Sequence, residues 1–117
     1  MPHIVIEGTP NLETFFETYT PSVHPQPNGA LKLLHIFINR EKNCLLIEAL
    51  AAEGGPPNRF FVQILQHDHK TTVKIYPGTD PEKTIGVKKI LALVAHRFIQ
   101  DFDETSYGTT NLQEYLL

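Results

Sequence analysis

The hydrophobic pattern changes period several times along the chain. Residues 2–7 (Pro-His-Ile-Val-Ile-Glu) are rich in β-branched side chains, stop at Gly8 and read as a strand. Proline fits the first position of a strand, where a missing N–H matters least. The period then lengthens. Leu12, Phe15, Phe16 and Tyr19 fall at i, i+3, i+4 and i+7, one stripe of a short helix over 11–19. Thr9 or Asn11 supplies its cap, Pro10 suits its first turn, and Pro21 ends it. Residues 21–29 hold three prolines and a glycine, so this stretch reads as a loop without regular structure.

Residues 30–39 are open to two readings. Leu31, Leu34 and Ile38 have helical spacing, whereas Ile36-Phe37-Ile38 suits a strand. Cys44 to Ala52 barely alternates, the pattern of a strand buried on both faces. Residues 54–58 (Gly-Gly-Pro-Pro-Asn) form a tight connection to a further strand, Arg59 to Gln66. His67-Asp68-His69-Lys70 reads as a hairpin turn, and Thr71 to Tyr76 alternates like a strand with one exposed face. The longest helix is expected over 81–102, with Asp80 as cap and Pro81 in first position. Val87, Leu91, Val94, Phe98 and Phe102 make its apolar stripe, while Lys88, Lys89, Arg97 and Gln100 take the outer face. His96 lies beside that polar face and reads as a boundary residue.

The order is strand, helix, an unsettled element, two or three strands, then a long helix. It predicts one α+β domain over 1–102, a mixed sheet with two helices on one face. After Phe102 the chain turns polar, then ends in a small apolar cluster of Leu112, Tyr115, Leu116 and Leu117. This tail, 103–117, is expected to dock on the domain or on a neighbouring subunit.

Composition narrows the function classes. The chain has 117 residues, 41% hydrophobic and 20% charged, a globular balance for one domain. Net charge is -3 and the basic residues are scattered, so nucleic acid is not an expected partner. Cys44 is the only cysteine; it sits in an apolar run and reads as a small hydrophobe. The start of the chain lacks the basic and apolar regions of a signal peptide. No apolar run approaches the roughly 20 residues of a membrane helix, so the cytoplasm is the expected compartment.

Four places could carry chemistry. With Met1 removed, Pro2 is a secondary amine on a strand, and a lowered pKa makes such a group a base. With Met1 retained, its nitrogen is an amide and has no basicity. His67 and His69 at i and i+2 could share a metal with His3 or His35, although a polar hairpin turn explains them as well, and no metal is expected. Tyr76-Pro-Gly-Thr-Asp80 precedes a helix, but Asp80 places a negative charge where an anion would sit. Glu48 in an apolar strand needs a partner.

Met1-Pro2-His3-Ile4-Val5-Ile6, a following helical region, Cys44-Leu-Leu-Ile-Glu-Ala, Gly54-Gly55, Arg59-Phe-Phe-Val-Gln-Ile-Leu and a long helix together resemble the tautomerase superfamily. The opening is similar to that of the 5-carboxymethyl-2-hydroxymuconate isomerases. The resemblance implies tautomerase-like β-α-β units, a homotrimer, and isomerisation of a small keto–enol carboxylate without a cofactor. It implies Pro2 as the base and makes 30–38 the end of the first helical region. Arg59 and Lys32 are the candidates to hold the substrate carboxylate. The chain departs from the family in Cys44 to Ala52, which carries no arginine beside the proline. The alternative is a non-catalytic oligomeric protein that keeps the fold without the chemistry.

Overall fold

A computed structural model describes residues 1–117. The elements are β1 (His3–Glu7), α1 (Leu12–Thr18), β2 (Ser22–Gln26), β3 (Gly29–Ile38), β4 (Cys44–Glu53), β5 (Asn58–His67), β6 (Lys70–Ile75), α2 (Ile85–Asp101) and β7 (Ser106–Thr110). A single 3-10 turn, Gln113–Tyr115, follows. The strands form one sheet in the order β2-β3-β4-β5-β6-β1-β7.

Every neighbouring pair is antiparallel. This corrects the expected mixed sheet of tautomerase-like β-α-β units. A parallel crossover needs a dozen or more residues between strands. Between β2 and β6 the connections are far too short for that. Only Pro27 and Asn28 separate β2 from β3, and only Asp68 and His69 separate β5 from β6. Asp68 and His69 have φ of 50° and 63°, the left-handed pair that a tight hairpin requires.

Residues 29–38 are strand, not the end of a helical region. Leu31 and Leu33 point to the covered face; Leu34 and His35 then both stand opposite Glu48, so that Ile36 faces the covered side again. This bulge breaks the alternation and mimics helical spacing. Residues 22–26, expected as loop, form β2. It is an edge strand, where Pro25 costs no ladder bond needed by a second neighbour.

The long helix starts at Ile85 rather than 81. Thr84 is its cap, with extended backbone and Oγ1 accepting from Val87 N at 3.2 Å. Glu53, at the end of β4, accepts from Gly86 N at 2.8 Å and from Thr84 Oγ1 at 2.6 Å. A carboxylate there also complements the positive end of the helix dipole. Gly86 permits the approach, since a Cβ would lie 2.6 Å from the Glu53 carboxyl carbon. Asp80, expected as cap, pairs with Lys83 instead.

Both helices lie on one face of the sheet. Alternate residues of five strands (Ile4 and Ile6, Leu31 and Leu33, Leu45 to Ala51, Phe60 to Ile64, Val73 and Ile75) meet Leu12, Phe15 and the buried side of α2. Phe15 and Phe98 stack at 4.0 Å between centroids and tie the two helices together. The sheet curls around α2. β2 at one edge and the segment after β7 at the other therefore flank the same stretch of that helix. The 103–117 stretch joins the fold by pairing β7 with β1 and burying Leu112. No helix is long and apolar enough to cross a membrane.

Candidate functional site

The face of the sheet turned away from the helices is bare. The register places its side chains in rows that run across the strands. One row is Phe37, Leu46, Gln63, Lys74 and His3. Beside it run Cys44, Leu65, Thr72 and Val5 on one flank, and Glu48 with Phe61 on the other. Lys32, Leu50 and Arg59 form the next row. Phe37 is 53% exposed, and its ring lies 6.3 Å from that of Phe61 at a tilt of 58°.

A solvated sheet face ordinarily carries polar residues that alternate with the buried set. Here β4 presents Cys44, Leu46, Leu50 and Ala52 to the open side, with Glu48 as its only charge. Glu48 pairs with Arg59. Gln63 donates from Nε2 to the Cys44 sulfur at 3.8 Å, while its Oε1 has neither a donor nor solvent. Partial burial raises the Cys44 thiol pKa, against smaller lowering effects of Gln63 and Lys74. The thiol is thus less reactive than an ordinary one at neutral pH.

Alternation puts Lys32, Arg59, Lys70 and Lys74 on this face against Glu7 and Glu48. It is therefore net cationic on a chain of net charge -3. His3 stands among these residues on β1, and His35 lies on the β3 bulge.

The residues singled out from sequence fall in different places. Lys32 and Arg59 share the open face, on either side of Leu50. Pro2 continues the alternation of Ile4 and Ile6 and is buried on the helix side. The sheet separates it from both cations. Its nitrogen is joined to Met1, whose carbonyl oxygen accepts from Asn111 Nδ2 at 2.7 Å, with His3 Nδ1 3.0 Å away. His67 lies 3.0 Å from Asp68 in an exposed turn, and no three His, Cys, Asp or Glu side chains gather there or elsewhere. The start of α2 is occupied by Glu53, which fills the place considered for an anion. His96 is half-buried, with Nδ1 unpartnered.

Sequence reasoning missed Phe37, Leu46, Leu50 and Phe61 as members of one surface. Their signal was the weak alternation of Cys44 to Ala52, which is visible only once the register is known. Comparison with protein-family models, with curated proteins and with solved structures gave no match to this chain.

Proposed function

We propose that the protein is a non-catalytic oligomeric module that pairs with a second copy of itself through the open face of the sheet. The observation that carries this reading is the two-sided apolarity of β4. Its sequence asks for cover on both faces, and the helices cover one. A second copy laid face to face supplies the other cover, and a patch that meets itself closes with two-fold symmetry.

Magnitudes favour association over charge repulsion. A Phe buries about 150–250 Å² in full. Phe37, at 53% exposure, thus leaves roughly 100 Å² to bury, worth about 2.5 kcal/mol per copy. Exposed like charges at the margins cost each copy less than about 1 kcal/mol, and salt screens them.

The isomerase reading draws no support from this arrangement. The proposed base and the proposed carboxylate holders stand on opposite faces of the sheet.

Size-exclusion chromatography with light scattering, run at low and high salt, tests the proposal. The expected mass is that of a dimer, with dissociation decreasing as salt rises because the paired faces are both cationic. Phe37→Asp should yield monomer. A wild-type monomer at 100 μM, or a dimer untouched by Phe37→Asp, would overturn the assignment.

A further inference from the structure

The open face changes character from strand to strand. Its middle strand is β5, fourth of the seven in the sheet. There Phe61, Gln63 and Leu65 face outward without a charge, between Arg59 and His67 at the strand ends. On one side β4 presents Cys44, Leu46 and Leu50 with the carboxylate of Glu48. On the other side β6 presents Lys70, Thr72 and Lys74. An apolar and acidic strand and a cationic strand thus flank an uncharged one.

A residue on a two-fold axis meets its own copy, so a charge there is set against itself. Of the three strands, only β5 has an uncharged centre to place on the axis. Curvature points to the same strand. The sheet curls around α2, so its open face is convex, and two convex faces touch first along their crests.

Face-to-face pairing over β5 leaves two directions for the axis, along the strand or across the strands. Either direction buries the same residues, so the hydrophobic contribution does not choose between them. Across the strands, β6 lies on β6. Lys74 of one copy is then set over Lys74 of the other at the sheet separation of about 10 Å, with both stems pointing into the gap. Along β5, β4 of each copy lies on β6 of the other. The two Lys74 backbones then stand about 14 Å apart, beyond the screening length of about 10 Å at 0.1 M salt. Leu46 and Lys74 are the neighbours of Gln63 on its two sides, so Leu46 comes over the Lys74 stem of the second copy. That stem is apolar, and its head is free to turn. Glu48 lies about 7 Å along β4 from Leu46, on the same face, and offers the ammonium a carboxylate. Twisted sheets cross at about 30°, which carries Arg59 and His67 away from their own images at the ends of β5.

We infer that the two copies pair about a two-fold axis along β5, with β4 of each seated on β6 of the other, and that Lys74 sets this direction. The inference rests on the self-pairing of the open face proposed above. It also accounts for how a face of net positive charge closes on itself.

Isotope-filtered NMR on the wild-type chain tests the direction. Copies labelled with ¹³C are mixed with unlabelled copies, and only contacts between copies are recorded. The expected contacts join the Leu46 methyls to the Lys74 methylenes, and the Thr72 methyl to Cys44. A dimer whose contacts join β4 to β4 or β6 to β6, or lie elsewhere, would overturn the axis and leave the dimer standing. A monomer without filtered contacts would remove the self-pairing itself, and the axis with it. Two substitutions give an independent measure. Leu46→Glu faces Lys74 of the second copy, whereas Leu46→Lys sets cation on cation. By light scattering at low salt, Leu46→Glu should dimerise at least tenfold more tightly than Leu46→Lys. Adding Lys74→Met to both should shrink that difference at least threefold. Equal affinities, or a difference that Lys74→Met leaves untouched, would overturn the role of Lys74.

Discussion

The two faces of this sheet have similar backbones and opposite fates. On the helix side, alternation delivers Ile, Leu, Val and Phe at complete burial, closed by α1 and α2. On the open side the same strands deliver Phe37, Leu46, Leu50 and Phe61 mixed with Lys32, Arg59, Gln63 and Lys74, and the chain puts nothing over them. The first face is where the fold gets its stability. The second is where β4 asks for cover that one chain does not provide. Substitutions on the two sides should therefore separate stability from assembly.

The largest effect is expected on the covered face. Phe98 is fully buried and stacked on Phe15, so Phe98→Ala should cost about 3–5 kcal/mol in urea unfolding of the monomer. A cost below 1 kcal/mol would mean that the helices are not the cover described. Next comes the junction of β4 with α2. Glu53→Ala removes the acceptor of Gly86 N and Thr84 Oγ1 and should cost about 1–3 kcal/mol. Gly86→Ala, which forces the same carboxylate aside, should destabilise too, although glycine to alanine ordinarily stabilises a helix interior.

The open face should respond more weakly in stability. Gln63→Leu removes an amide oxygen that has neither donor nor solvent, and it should be neutral or stabilising by up to about 1 kcal/mol. Phe37→Asp, on an exposed side chain, should change monomer stability by no more than about 0.5 kcal/mol while abolishing assembly. A large loss of stability from Phe37→Asp would erase the distinction between the faces.

A pH titration gives a signal confined to the ends of the pH range. Burial pushes the Tyr19 phenol up to about 12, against the lowering effect of Arg97. Its hydroxyl donates to Leu34 O at 2.7 Å, a bond that needs the protonated form. In the unfolded chain the phenol loses its proton near the reference value of about 10. Between there and about 12 the folded state holds the extra proton, so stability falls as pH rises through this window. Tyr19→Phe should flatten that fall. His24 works in the opposite direction. Its lowered pKa makes the unfolded state bind more protons below the reference value of about 6.5, so its contribution is lost as pH falls.

Parts of the fold were legible where a local signal and the tertiary structure agree. The β1, β4, β5 and β6 strands, the Asp68-His69 turn and the apolar stripe of α2 all follow from periodicity and turn chemistry. Misreadings arose where tertiary context decides. A bulge at Leu34 and His35 disguised β3 as helix, and edge position made a strand of the proline-rich 22–26. Asp80-Pro81 looks like a helix start, but the strand-borne Glu53 selects Thr84 and Ile85 instead. The strand β7 has little hydrophobic pattern because it is an edge partner of β1. The candidate surface was least legible of all. Its residues come from β1, β3, β4, β5 and β6, and only register unites them. The resemblance carried by Met1-Pro2 and the element order led to β-α-β units, because element order alone does not distinguish a crossover from a meander.

The most direct test of the open face as a self-interface is transfer of paramagnetic broadening between copies. A nitroxide is placed at residue 35, exposed on the bulge, as His35→Cys in a Cys44→Ser background. This unlabelled-nitrogen protein is mixed with ¹⁵N-labelled wild type. The account predicts broadening in the second copy at Phe37, Leu46, Gln63 and Lys74, and none at Leu93 or Leu116. An absence of intermolecular broadening, or broadening centred on the α2 side, would contradict it.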